Sequence, residues 1–159
     1  MNDIIFDFLK VSRPDNCGRM ISDIWNYSYE KIETTHNYIQ WLFPLFERSA
    51  FSTDAPILTV DLAEQIYADE ICKSSLNRSL SLMRSFYGNN SHWANPSDHN
   101  LLRITRILKS SALLLGKACS IEFYKFIMLR CNELEFKPLT TTIDYWNEAT
   151  TVTLAQYRA

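Results

Sequence analysis

The stretch His36-Asn37-Tyr38-Ile39-Gln40-Trp41-Leu42-Phe43-Pro44 sets three aromatic and two aliphatic residues among a few polar groups. A segment of this composition is expected to be buried. In a short helix Tyr38, Trp41 and Leu42 share one side by the i, i+3, i+4 rule, with Ile39 and Phe43 close beside them. Pro44 ends that helix, because the residue before a proline is pushed out of the α region.

Around this segment the composition describes one folded unit. The 159 residues fit a single domain over 1–159, large enough to bury a core without disulfides or metals as staples. Hydrophobic residues make up 47% and charged residues 21%, and three glycines with five prolines leave little room for a many-turned β architecture. The expected fold is therefore all-α, a single compact domain of about six or seven helices. A net charge of -2 offers no overall basic field and argues against non-specific nucleic-acid binding. Cys17, Cys72, Cys119 and Cys131 show no CxxC pair and no histidine at finger spacing, which reads as buried free thiols without metal or cofactor. The start Met1-Asn2-Asp3-Ile4-Ile5-Phe6 lacks the positive region of a signal peptide. Apolar runs such as Ala112 to Leu115 fall far short of the ~20 residues that a transmembrane helix needs. A cytoplasmic location is expected.

Taken in order, Ile4, Ile5, Phe8 and Leu9 have helical spacing, broken by Ser12-Arg13-Pro14-Asp15-Asn16. From Cys17 the set Met20, Ile21, Ile24, Trp25, Tyr29 and Ile32 predicts a second helix ending near Thr34-Thr35, with Asp15 or Asn16 as its N-cap. Leu45 to Pro56 has no sustained period and reads as a loop exposed over most of its length. Thr59 caps a third helix holding Leu62 and Ile66. Ile71, Leu76, Leu80, Met83, Phe86 and Tyr87 form a helical stripe closed by Gly88 as a left-handed cap. In the polar gap Asn89 to Pro96, Trp93 is expected to dock back on the core.

Ser97 or Asp98 can cap a helix through Asn100-Leu101-Leu102-Arg103-Ile104-Thr105-Arg106-Ile107-Leu108-Lys109-Ser110, ending near Gly116. Two faces are written into it. Leu101, Ile104, Leu108 and Leu115 make an apolar strip, while His99, Arg103, Arg106 and Ser110 follow a +4, +3, +4 course along a second. Ser120 opens an amphipathic helix ended by Lys137-Pro138, and Thr142 caps a last one, weakened by the β-branched run Thr150 to Thr153.

The 36–44 string resembles the signature of the opioid growth factor receptor conserved domain. So does the approach to it, at Asp15, Gly18, Ile21, Asp23 and Ile24. His99, Asn100 and Leu102 through Ser110 are similar to the family's HNxLRITRILKS-like block, Phe86-Tyr87-Gly88 to its FYG helix end, and Asp144-Tyr145 to its closing LDY-type helix. The resemblance covers nearly the whole chain, with a shorter 89–96 connection and no appended repeat-bearing segment. It implies a receptor-type binding domain, a name that describes peptide binding in animal members.

Residue chemistry adds a candidate ligand site. His36 reads either as a core-edge histidine that holds the Trp41 turn or as part of a site. Gln40, one turn on, could face the same cavity, with Arg103 and Arg106 as a positive wall. Both arginines could equally be solvated or paired with Asp23, Glu30 or Glu33. The candidate ligand-binding set is His36, Gln40, Trp41, Arg103, Arg106, His99 and Asn100, taking a peptide carboxylate or another small anion. No catalytic residue is assigned: no cysteine has a partner histidine, and GxSxG, Gly-rich phosphate loops and HExxH are missing. The spacing of His36, His92 and His99 gives no support for a metal. A second hypothesis is a protein-interaction adaptor using an apolar face near Trp93 or Phe46, and an enzyme of unknown type ranks last.

Overall fold

A computed structural model describes residues 3–50 and 52–158, so the readings of Met1, Asn2 and Phe51 lie outside the described residues. Every regular element among them is helical. Helix α1 spans Ile4–Leu9, capped by Asp3, whose carboxylate accepts from the Ile5 N–H at 2.8 Å. Helices α2 (Ile21–Trp25), α3 (Tyr29–Thr34) and α4 (Ile39–Leu42) follow as short pieces. The longer elements are α5 (Val60–Ala68), α6 (Glu70–Asn89), α7 (Asn100–Leu114), α8 (Lys117–Glu133) and α9 (Thr140–Ala149), with a closing 3-10 turn at Leu154–Tyr157.

The structure holds nine α-helices among the described residues, against the six or seven expected, because two local signals outcompete periodicity. The helix predicted from Cys17 to Thr34 is split. Asp15 does not cap it; its buried carboxylate accepts from the Cys17 and Arg19 N–H groups at 2.9 and 3.0 Å and keeps that segment turned. Asn26 then ends α2, and the Ser28 hydroxyl starts α3 by accepting from the Lys31 N–H at 3.1 Å. Short polar side chains prefer such end positions to helix interiors.

Four other helix ends also differ from expectation. Gly88 is not a left-handed cap, for α6 runs through it to Asn89. Its last carbonyls are closed by side chains: Asn90 Nδ2 donates to Phe86 O at 2.8 Å, while Trp93 Nε1 and Arg130 Nε donate to Tyr87 O at 3.2 and 3.1 Å. Helix α8 starts at Lys117 after Gly116, not at Ser120, whose buried hydroxyl donates to Leu108 O at 2.7 Å. It stops at Glu133, before Lys137-Pro138, where Glu135 takes a φ of 54° and Phe136 turns back onto the core. Helix α9 begins at Thr140 rather than behind a Thr142 cap.

Helix α7 is the centre of the fold. It packs against α5, α6, α8 and α9, and Leu101, Ile104, Ile107, Leu108 and Leu113 are buried along it. Burying each such side chain stabilises by roughly 1.5–3 kcal/mol. Trp146 of α9 is fully buried and its indole donates to Leu101 O at 3.2 Å, so the last helix is pinned by apolar area and a polar contact together. Helix α6 packs against α1, α2, α5 and α8 as well as α7, and it is bound to α1 and α2 through buried serines. Ser75 donates to Leu9 O at 2.6 Å, and Trp25 Nε1 donates to Ser79 at 3.0 Å.

The 36–44 segment is core from Tyr38 to Pro44, while His36 and Asn37 are exposed. Trp41 meets Phe8 edge to face with ring centroids 5.3 Å apart. The 45–56 loop dips inward at Leu45, Ser52 and Ala55, more than its composition suggests. Trp93 is fully buried against Tyr87 and offers no exposed face, while half-buried Phe46 stacks on half-buried Tyr157 with centroids 4.0 Å apart. Cys72 and Cys131 are buried, whereas Cys17 is exposed and Cys119 half-buried. No described helix is long and apolar enough to cross a membrane.

Candidate functional site

The N-cap of α7 is His99, not Ser97 or Asp98; Asp98 stands just before it and accepts from the Asn100 N–H at 2.8 Å, and the helix carries its polar stripe toward the α3–α4 turn. Arg103 is buried there. One terminal nitrogen donates to Ile32 O at 2.9 Å and the other to Thr35 O at 2.7 Å, with Tyr38 beneath the guanidinium at 5.5 Å. One turn on, Arg106 Nε donates to Phe43 O at 2.9 Å, and Ser110 Oγ donates to Pro44 O at 2.9 Å. The two resembling blocks are thus bound side chain to backbone. The acids weighed as partners for Arg103 and Arg106 give way to carbonyls.

Along this seam lies a cavity of about 440 Å³. His36, Gln40, His99, Arg103 and Arg106 line it, with Ile39, Leu102, Ser49 and Ala50. Two of the candidate residues are elsewhere. Trp41 faces the core, and fully buried Asn100 binds Tyr87, Glu33 and Asp98.

Arg106 is the unusual cation of the seam. Burial pushes its guanidinium down to about 10, against the opposing charge of Glu47, so it remains charged at neutral pH. Its terminal nitrogens have no hydrogen-bond or ion-pair partner among the described residues, because Glu47 is taken by Lys109 and by the Tyr157 hydroxyl, both at 2.6 Å. Gln40 is held by its amide, which donates to His36 O at 3.2 Å and Ser49 Oγ at 3.1 Å. Its buried Oε1 has no hydrogen-bond partner among the described residues. His36 Nδ1 lies 3.4 Å from an Arg103 nitrogen, which can only donate, so the ring proton is assigned to Nε2. Burial, then the charges of Arg103 and His99, hold the His36 pKa below its ordinary value, which leaves the ring neutral at pH 7.

Beside the cavity is a group that spacing did not announce. Glu33, at the end of α3, receives His92 Nε2 on Oε2 at 2.7 Å and His99 Nε2 against Oε1 at 3.0 Å. The second contact has ion-pair distance without the alignment of a hydrogen bond. The His36 and His99 rings stand edge to face at 5.5 Å, so the chain's three histidines gather from distant positions. Burial alone would raise the Glu33 carboxyl, but hydrogen bonds from His92 and Asn100 and the nearby His99 hold it below the usual carboxylate range. The sequence offered Glu33 only as a possible partner for Arg103 or Arg106; its partners are His92, His99 and Asn100.

The family described as the opioid growth factor receptor (OGFr) conserved region matches residues 6–95. The chain is 36% identical to the opioid growth factor receptor of Rattus norvegicus, over 71% of this chain and 22% of the relative. The Mus musculus receptor is 37% identical over 71% of this chain and 20% of its own length. Opioid growth factor receptor-like protein 1 of Mus musculus is 33% identical over 65% and 26%. The chain spans about a fifth of the length of the two receptors. No solved structure matches it.

Proposed function

This chain belongs to the opioid growth factor receptor family, and we propose that it is a non-enzymatic binding domain whose cavity takes a peptide carboxylate or another small anion. The observation that carries this reading is Arg106: a largely buried guanidinium whose terminal N–H groups are unpaired among the described residues at the cavity wall. Such a fork suits a carboxylate, and in a partly desolvated site the pairing gains strength. The His36 Nε2–H adds a second donor. The orphaned Gln40 Oε1 suits an amide N–H beside the anion, and Ile39 and Leu102 offer an apolar wall for one side chain, which favours a peptide terminus over an inorganic ion. The relatives' printed name, a receptor, agrees with a ligand-binding role. A cytoplasmic location goes with this reading, supported by four cysteines that stand free.

The test is thermal shift with short peptides bearing a free C-terminus against the same peptides amidated. Free acids should raise the melting temperature by linkage, worth about 2.7 kcal/mol at a hundred times Kd, and amides should not. Arg106→Gln, whose amide nitrogen stands where Nε does and can keep the bond to Phe43 O, should abolish the shift with the ligand-free melting temperature little moved, and Arg106→Lys should weaken it. Equal shifts for acid and amide, or a full shift in Arg106→Gln, would remove the proposal.

A further inference from the structure

The cluster around Glu33 lies beside the cavity, sharing His99 with its wall, and its chemistry points to a cation. Glu33, Asp98 and His99 each offer a ligand atom within 4.8 Å of the others. Ligands bound at the ~2.0–2.2 Å of a tetrahedral zinc site stand about 3.3–3.6 Å apart, so small side-chain rotations would close the group on an ion. His92, 2.7 Å from the other oxygen of Glu33, is placed to be a fourth donor. These groups come from two separate segments, the end of α3 and the 90–99 connection that leads into α7.

We propose that Glu33, Asp98 and His99, completed by His92, form a binding site for one divalent transition-metal ion of the zinc class. Two carboxylates balance the charge of a divalent cation, and imidazole nitrogen with carboxylate oxygen suits zinc or its neighbours better than a hard, all-oxygen ion. The outer shell is already built. Asn100, fully buried, donates to Glu33 Oε2 at 3.0 Å and to Asp98 Oδ1 at 2.9 Å, and its own carbonyl accepts from Tyr87 at 3.2 Å. One amide therefore orients both carboxylates, the arrangement that fixes ligands at metal sites. Independently, His99 Nε2 is buried and lacks an aligned hydrogen bond although it faces Glu33, as a nitrogen held for a further partner would. Bound metal would tie α3 to the start of α7 and fix the cavity wall that His99 shares.

The experiment uses the full chain after chelator treatment, titrated with cobalt(II) and followed by its visible ligand-field absorption, with zinc competing. One equivalent should give a tetrahedral or five-coordinate spectrum without thiolate charge transfer, and zinc should displace it and raise the melting temperature. His99→Ala and Asp98→Asn should each weaken affinity by at least about 100-fold, and His92→Ala by about tenfold, given that outer-shell changes alone cost ~10–100-fold. Circular dichroism and the metal-free melting temperature show that these variants fold; should one not, Glu33→Gln replaces it. Absent cobalt absorption, a spectrum insensitive to all of these substitutions, or thiolate bands from Cys17 or Cys119 would overturn the site. Because the readout is metal binding, it fails or succeeds apart from the peptide reading.

Discussion

Arg106 Nε donates to the Phe43 carbonyl at 2.9 Å, and one turn further Ser110 donates to the Pro44 carbonyl at the same distance. Phe43 closes α4 with φ -132° and ψ 73°, so its carbonyl lies beyond the short helix and would otherwise be an orphan acceptor. Pro44 brings no N–H of its own to the region. The polar stripe of α7 therefore completes the backbone of the turn that carries Trp41, and only the unused end of Arg106 is left for the cavity.

Arg103 should be the most costly side chain of the seam to lose. Truncation leaves the Ile32 and Thr35 carbonyls without donors in a site where Arg103 is 6% exposed. Arg103→Met should lower stability by about 2–4 kcal/mol in urea denaturation, with Arg103→Lys recovering part of it. A loss below about 0.5 kcal/mol would mean that neither carbonyl depends on this donor.

The glycines at 88 and 116 should respond oppositely to alanine. Gly116 holds φ 109° and ψ 159°, a region essentially reserved for glycine, so Gly116→Ala should cost about 1–3 kcal/mol although no atom stands within 4 Å of the added carbon. Gly88 is helical and its new carbon would meet Phe126 at an ordinary 3.5 Å. Gly88→Ala should then stabilise by about 0.5–1 kcal/mol. Matched denaturation curves check both signs; a destabilised Gly88→Ala would expose a packing limit at Phe126.

Acid should loosen the link between α7 and the closing 3-10 turn. Burial raises the Glu47 carboxyl, but hydrogen bonds from Lys109 and Tyr157 outweigh it and hold the pKa below 4.5. The folded value is therefore below the unfolded one, and the contribution is present above about pH 4.5 and fades as pH falls through the folded pKa. Because the side chain is half exposed, the effect is small, but Glu47→Gln should flatten this part of the stability–pH curve. An identical acid limb in the variant would show that another carboxyl governs it.

Thiol reactivity should divide the cysteines in two. Burial pushes the Cys72 thiol up to about 12 and the Cys131 thiol up to about 11, so both are closed to alkylation in the native state. Cys17, exposed, and Cys119, half-buried, should react with iodoacetamide, and the other pair only as the protein unfolds. Mass spectrometry of native and denatured labelling reads this directly; native labelling of Cys72 would mean that α6 opens near its start.

Much of this architecture was legible in the chain. The apolar period of α6 and α7, the Thr59 cap and the burial of Trp93 all follow from spacing and side-chain chemistry. The divisions at Asn26 and Ser28 were not, since the apolar period runs unbroken across them and conceals two capping residues. Nor was Glu33, an ordinary helix-end acid until His92, Asn100 and His99 arrive from 59, 67 and 66 positions away along the chain.

By itself the sequence determined that the chain is helical, which faces of α6 and α7 are apolar, and that two blocks resembling one family carry the aromatic and basic residues. Only the tertiary structure decided what those basic residues hold, and that three distant histidines share one neighbourhood. The physical reason is that periodicity and capping act over one or two turns and are written in side-chain identities. The acceptors of Arg103 and Arg106 are main-chain carbonyls, which every residue possesses, so no letter in the sequence marks them out.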